Sequence, residues 1–151
     1  MNGTVDLPPP PIPPDVDLRE IRNFDMDVAR VLSSKLWIIS TGEEFKRAFA
    51  SWVRSWHEIP AGSLPANDAE LLPLLGLTSW DGVRRDVVLA GWKLHSDGRL
   101  YHRVVVKQAL RVWRNLRGSN DRSEASHAGR SARSAKLASA LAGLARAGRQ
   151  R

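Results

Sequence analysis

The residues best suited to chemistry in this 151-residue chain are basic side chains that follow a predicted β-hairpin. On a helical wheel at 100° per residue, the cations of the last predicted helix fall within about 80° of one another. They are Arg103, Lys107, Arg111 and Arg114, and no acidic residue occurs between residues 99 and 117. Such a stripe can bind the phosphate backbone of a nucleic acid. A solvated helix face explains the same pattern without any ligand.

Three further basic residues lie on the predicted hairpin that precedes this stripe. They are Lys93, His95 and Arg99. The hairpin would then act as a wing beside the last helix, and its cations would extend the surface offered to phosphates.

A separate candidate for contact with a base edge is Arg85, which points outward from a predicted helix at residues 79–90. That helix carries no net charge, because Asp81 and Asp86 balance the two arginines. We expect Arg84, at the border of the apolar face, to extend its stem over that face or to pair with Asp81. Phosphate contact is therefore better supported by the sequence than base-specific recognition.

No pattern in the sequence predicts a reaction. The chain has no cysteine, no glycine-rich phosphate loop with its lysine and no Gly-x-Ser-x-Gly elbow. Its histidines are not spaced with carboxylates or thiols as a zinc site requires; they are His57, His95, His102 and His127. We therefore predict no catalytic residue, no metal site and no cofactor.

Charge is unevenly distributed along the chain. The net charge is −4 for residues 1–28, +6 for residues 29–117 and +5 for residues 118–151, which gives +7 in total. This balance suits a polyanionic partner, and it also suits simple solubility. No apolar run is long enough to span a membrane and no signal peptide is evident, so we expect a cytoplasmic protein.

The hairpin is predicted from alternating residues around Asp97-Gly98, a pair typical of a two-residue type I′ turn. That turn would pair Leu94 with Tyr101. The inward face would carry Trp92, Leu94 and Tyr101, and the water-facing side would carry Lys93, His95, Leu100 and His102.

The clearest predicted helix begins after Thr41, which forms a capping box with Glu44. Its aromatic residues recur on one face and are expected to form the core; they are Phe45, Phe49, Trp52 and Trp56. An earlier helix is predicted over residues 25–36, with Met26, Val28, Ala29 and Leu32 directed inward. The run at residues 36–39 that follows is expected to be buried and either helical or extended.

Three more helices complete the prediction. Asn67 and Glu70 signal one that carries Leu71, Leu72, Leu74 and Leu75 and is kinked or ended early by Pro73. The helix at 79–90 would bury Trp80, Val83, Val87 and Ala90 and leave Leu89 outside. The last helix, at 104–117, would bury Val106, Ala109, Leu110, Trp113 and Leu116 and end at Gly118.

These elements predict a mainly α fold with one β-hairpin, which is a winged-helix-like domain at residues 15–117 with disordered N- and C-terminal tails. A Pro-rich leader at residues 1–14 is expected in polyproline II conformation, either as a docking segment or as a stiff extension. Residues 118–151 are expected to be a basic flexible tail, disordered at 118–133. Leu137, Leu141 and Leu144 could form a weak helix on docking.

Four ordered segments resemble the YdaU-like domain family of unknown function, which occurs in bacterial genomes, often in prophage regions near replication genes. They are Asp15-Val16-Asp17-Leu18-Arg19, Thr41-Gly42-Glu43-Glu44-Phe45, residues 56–65 and Ser96-Asp97-Gly98-Arg99-Leu100-Tyr101-His102. The resemblance covers residues 15–116 and implies a winged-helix-like domain with a role in phage DNA replication or its regulation. Pro73 and Arg103 depart from the family pattern.

The leading expectation is a non-enzymatic module of prophage origin that binds duplex DNA. The alternative is an adaptor whose leader and tail recruit a replication protein. The sequence predicts no membrane partner and leaves the oligomeric state open.

Overall fold

A computed structural model describes residues 5–148 of the chain. It is mainly helical with a small three-stranded antiparallel sheet. The chain divides into two compact units, one ending at Trp113 and the other beginning at Arg114. Within residues 5–148, no helix is both long and apolar enough to cross a membrane.

Two short helices stand where the sequence predicts one. Helix α1 spans Val28–Leu32 and helix α2 spans Lys35–Ile39, each begun by a side-chain cap. Ser34 accepts a hydrogen bond from the backbone of Trp37, so its hydroxyl starts a new helix instead of continuing the first. The expected inward face is wrong, because α1 buries none of its residues. In the 36–39 run only Leu36 is buried.

Helix α3, Gly42–Trp56, begins as predicted. The Thr41 hydroxyl accepts from the Glu44 backbone N–H, and the Glu44 carboxylate accepts from the Thr41 backbone N–H. These reciprocal bonds confirm the capping box.

Each residue on the buried face of α3 comes one position before a residue of the aromatic stripe. Of the four aromatics only Trp56 is buried; Phe49 is exposed, and Phe45 and Trp52 are half-buried. The line against the core consists of small or polar residues, namely Glu44, Ala48, Ser51 and Ser55. The two serine hydroxyls bond backbone carbonyls three residues earlier, which lets them be buried without unpaired donors.

Strand β1, Ser63–Pro65, is not predicted by the sequence and pairs with the second strand of the hairpin. The hairpin strands are β2, Trp92–Leu94, and β3, Arg99–His102. The sheet order is β1-β3-β2, all antiparallel, so β3 is central.

The predicted hairpin register is wrong by one residue. Leu94 lies opposite Leu100, not Tyr101. The turn has three residues, since His95 bonds Arg99 and Gly98 bonds back to His95. Of the three turn residues, only Gly98 has a positive φ. This is the geometry of a type I turn followed by a glycine bulge.

Relative to β2, this shift moves every β3 residue to the opposite face from the predicted one. Trp92, Leu94, Leu100 and His102 now share one side, and Lys93 shares the other with Tyr101. The side carrying Leu100 meets the main hydrophobic cluster, formed by Leu64, Leu71, Leu75, Val83, Val88, Leu89, Trp92 and Leu100.

Two short helices connect β1 to the hairpin. Helix α4, Asp68–Leu74, has the predicted Asn67 cap. Helix α5 is only Arg85–Val88, far shorter than the predicted 79–90, because Gly82 adopts positive φ and interrupts the helix. Leu89, expected outside, is buried.

The leader folds onto the first unit instead of extending from it as a disordered tail. The Pro8 carbonyl accepts from the Ser96 backbone N–H at the hairpin turn. Just beyond the leader, the Val16 carbonyl accepts from the Ala61 backbone N–H before β1. Ile12, Val16 and Leu18 are buried. Residues 1–4, the rest of the predicted leader, lie outside the described residues.

Helix α6 begins at Arg103 and continues to Gly148. In the first unit it buries Val105, Val106 and Ala109, whereas Leu110 and Trp113 are only half-buried. In the second unit the structure shows helix where disorder is predicted, and the helix passes Gly118 without ending. Residues 119–148 are all exposed; Leu116 is half-buried.

Candidate nucleic-acid interface

The first turns of α6 present two cations to solvent. Arg103 and Lys107 are exposed, one turn apart, and neither takes part in any of the ion pairs found within residues 5–148. Arg111, one turn further, is exposed but pairs with Asp25 at 3.0 Å between Nη2 and Oδ2. The predicted stripe is therefore partly neutralised by a carboxylate remote in sequence.

Arg99, which the sequence assigns to the wing surface, takes part in a hydrogen-bonded network of the first unit. Its Nε donates to the Ser63 hydroxyl at 2.9 Å and its Nη2 to the Glu58 carboxylate at 3.0 Å. Only 26% of the side chain is exposed. These donors join β3 to β1 and to the segment just after α3, so Arg99 is less open to a phosphate than the sequence predicts.

The rest of the hairpin offers one open cation. Lys93 is exposed on β2. His95 is half-buried, with its ring edge-to-face against Tyr101 at 4.8 Å and its Nδ1 3.0 Å from the Lys93 carbonyl. The Tyr101 hydroxyl donates to the Asp97 carboxylate, and burial raises the pKa of Tyr101 above its ordinary value. Through its contacts with Tyr101 and with the Lys93 carbonyl, His95 stabilises the hairpin turn.

Arg85 is exposed at the start of α5, but it is engaged on two sides. Its guanidinium carbon lies 5.7 Å from the centroid of the Trp80 ring, a cation–π contact. Its Nε is 3.9 Å from the Asp68 carboxylate. Both contacts are weak at an exposed site, so Arg85 could leave them for a stronger partner.

The ion pair between Arg84 and Glu44 is the feature that the sequence did not indicate. Glu44 is buried and accepts from the backbone N–H, Nε and Nη2 of Arg84, each at 2.8 Å, and from Thr41 at 2.9 Å. The Arg84 side chain, followed by the backbone donors, holds the pKa of Glu44 well below its usual range. Arg84 also reaches the Ile39 carbonyl at 2.9 Å. The capping signal identified Glu44, but nothing local pointed to Arg84.

Arg114, the last member of the predicted stripe, belongs to the second unit. It is exposed on α6, whose residues 114–148 in this unit carry seven basic and two acidic side chains. Arg122 bonds the Gly118 carbonyl within this helix. The described part of the second unit therefore has a net positive charge, independent of the cations on the first unit.

Within residues 5–148 no three His, Asp or Glu side chains are grouped as a metal site would need. Comparisons with family models, with curated proteins and with solved structures gave no match.

Proposed function

We propose that this chain is a non-enzymatic module that binds nucleic acid, with duplex DNA as its target. The observation that carries the proposal is the exposed pair Arg103 and Lys107, which no described carboxylate neutralises. Phosphates attract such cations without any requirement for base sequence, and each contact releases counterions.

The order of elements supports a winged-helix-like fold for the first unit. A helix (α3), a strand (β1), two helices (α4 and α5) and a hairpin (β2–β3) follow one another, with β1 beside β3. In such a fold α5 would enter the major groove. Because α5 has only four residues, we expect contacts with the DNA phosphates to dominate over contacts with base edges. The preference for particular DNA sequences should therefore be weak.

The resemblance to the YdaU-like family adds the proposed setting, which is phage DNA replication or its regulation. The second unit would add unspecific affinity, since its exposed basic side chains outnumber its acidic ones.

The test is a salt series of duplex binding, followed by fluorescence anisotropy, on the full chain. We expect Arg103→Glu with Lys107→Glu to weaken binding and to lower the slope of log K against log salt by about 1.8, since each phosphate contact contributes roughly 0.9. Unchanged affinity and slope would remove this surface from the interface.

Two matched variants locate the effect. Arg99→Gln removes a cation of the same chain that is already committed to Glu58, so it should leave the slope unchanged. Arg133→Glu with Lys136→Glu makes the same charge change on the exposed helix of the second unit. A loss confined to this last variant would assign binding to the second unit alone.

A protein-interaction adaptor is the second candidate, favoured by an apolar surface on α1 and α2. Five large side chains there are between 44% and 73% exposed: Val28, Leu32, Trp37, Ile38 and Ile39. The leader is a poorer docking segment than the sequence suggested, because Ile12 is buried. Leu32→Ser with Ile38→Ser should abolish capture of a replication partner in a pull-down yet leave duplex binding intact.

A further inference from the structure

The apolar surface on α1 and α2 is not covered by any part of residues 5–148. It consists of Val28, Leu32, Trp37, Ile38 and Ile39. Helix α1 buries none of its residues and α2 buries only Leu36. Helices as short as five residues are marginal in water by themselves, so they depend on packing for their stability. The outer side of α1 and α2 is therefore suited to contact with a partner.

This surface continues from α2 onto α3. Ile38 lies about 160° from the buried Leu36 on the helical wheel of α2, and it is the most exposed of the five, at 73%. Trp37 packs edge-to-face on Phe45 of α3, with ring centroids 4.9 Å apart. One turn further along α3, Phe49 is also exposed.

The size of the surface matches what a stable dimer needs. The five residues together present on the order of 500 Å² to water, since each is about half exposed or more. A standard interface buries about 800 Å² on each partner, and about 65% of that area is apolar in homodimers. The apolar area needed from each partner is then about 500 Å², which this surface supplies.

Charges of both signs border the surface. Asp27 stands directly before α1, Lys35 begins α2 beyond the other end of α1, and Lys46 lies on the first half of α3. All three are exposed, and none takes part in the ion pairs found within the described residues. The Asp27 carboxylate caps α1 through Oδ1 alone, so its Oδ2 can face a partner.

A two-fold axis makes this charge pattern self-complementary. In an isologous pair each contact occurs twice with the roles exchanged, so the acidic end of one copy meets the basic end of the other. Asp27 would then approach Lys35 and Lys46 of the second copy. A nucleic acid or an anionic lipid surface is repelled by the Asp27 carboxylate, whereas a second copy brings the opposite charge to each position.

We propose that two copies of this chain associate through the apolar surface on α1 and α2, with Asp27 of each copy facing Lys35 and Lys46 of the other. The adaptor candidate would give this surface to a replication protein, and the second copy takes that place. The association uses neither Arg103 nor Lys107, so it does not depend on DNA binding.

The test is the mass of the full chain in sedimentation equilibrium, which does not depend on molecular shape. Interfaces of this size have dissociation constants from micromolar to picomolar, so a concentration series up to about 100 µM covers the expected range. We expect the mass of two chains at the upper end of the series. The mass of one chain throughout would overturn the proposal and would leave the surface to a different protein.

A matched pair of variants locates the contact. Ile38→Asp buries a carboxylate in the interface from both copies, so it should weaken association at least about 100-fold. Ile38 is largely exposed in the single chain, and circular dichroism should show an unchanged fold. Leu137→Asp places the same charge on an exposed residue of the second unit and should have no effect. Association that survives Ile38→Asp but is lost in Leu137→Asp would overturn the proposal.

An exchange of charges tests the two-fold arrangement. One variant combines Lys35→Glu with Lys46→Glu, and the other carries Asp27→Lys. Each variant alone brings like charges together and should associate at least about 10-fold more weakly than the parent. An equal mixture restores both opposite-charge contacts, so it should recover the mass of two chains. No gain on mixing would overturn the assigned contacts. Asp27→Ser, which keeps a cap on α1 without the charge, is the control for loss of the cap.

Discussion

Arginines at the junction of α3 with α5 and cations on the first turns of α6 differ in what surrounds them. Arg84 is bonded to a buried carboxylate, Glu44, that lies 40 residues away in the chain. Arg103 and Lys107 face water without a described partner. The difference shows that a local excess of positive charge does not identify a binding surface. The carboxylates that the fold brings near each cation decide whether it is available.

The largest effect on stability should follow from breaking the ion pair between Arg84 and Glu44. Glu44→Ala removes the partner of Arg84 and of the Thr41 backbone, which leaves donors without acceptors. We expect the melting temperature to fall by roughly 5 °C, because Arg84 and the Thr41 backbone N–H lose their buried acceptor. Glu43→Ala, at the neighbouring exposed position with its own partner Arg47, is the control and should change little. Equal losses in the two variants would contradict a special role for Glu44.

A pH series should show the second effect, through His102. Burial lowers its pKa to about 4 in the folded chain from the ordinary 6.5, so the unfolded chain takes up a proton first as the pH falls. The contribution of this residue to stability is therefore complete above pH 6.5 and is lost between 6.5 and about 4. In the parent, the urea concentration at the midpoint of unfolding should fall as the pH is lowered across this range. In His102→Phe this part of the pH dependence should disappear. An unaltered difference between variant and parent across the range would refute the assignment. His127→Phe, at an exposed position of the second unit, is the matched control.

Glu44 should add its own dependence at lower pH. Because its folded pKa is depressed below the ordinary value of 4.5, its contribution is present above pH 4.5 and is lost as the pH falls further. Parent and Glu44→Gln should therefore converge in stability under acid conditions. A constant gap down to the lowest pH tested would count against this linkage.

A smaller effect should follow from Arg99→Met, which removes the bonds to Glu58 and Ser63. We expect a loss of about 1–2 kcal/mol in the free energy of unfolding, measured by denaturant titration. The salt dependence of duplex binding should not move. A reduced slope would return Arg99 to the interface.

The smallest expected effect concerns the pair Arg111 and Asp25, both largely exposed. Asp25→Asn should change stability by less than about 0.5 kcal/mol. It would also free Arg111 to join Arg103 and Lys107, which should raise the slope of duplex binding by about 0.9. In this variant Arg111 has lost its carboxylate partner and is free to contact a phosphate. If stability and slope both stay unchanged, Arg111 does not reach the DNA.

Several elements followed from local signals alone. Thr41 and Glu44 predicted the start of α3, Asn67 predicted the start of α4, and the Asp97-Gly98 pair predicted a hairpin. Each signal works because one side chain satisfies a backbone group within four residues. The hairpin register was wrong because a glycine bulge and a type I′ turn have the same sequence signature.

The failed expectations share a dependence on distant residues. Nothing local indicates that the leader packs onto the hairpin turn, where the Pro8 carbonyl accepts from the Ser96 backbone N–H. The aromatic stripe of α3 supplies only part of its core face. Trp56 is buried and Phe45 and Trp52 pack against the core, but Trp92 donates its indole N–H to Ser51, so the serine line lies inside as well. Periodicity shows that a helix has two faces, but it does not show which neighbour meets each face.

What the sequence determined by itself was the starts of α3 and α4, the presence of the hairpin and the excess of positive charge after it, since these depend on neighbours within a few residues. The tertiary structure alone decided that β1 joins the sheet, that Arg84 and Arg99 are matched by Glu44 and Glu58, and that Arg103 and Lys107 stay open. The physical reason is that pairing of charges and strands depends on distance in space, and folding brings together residues that the chain keeps far apart.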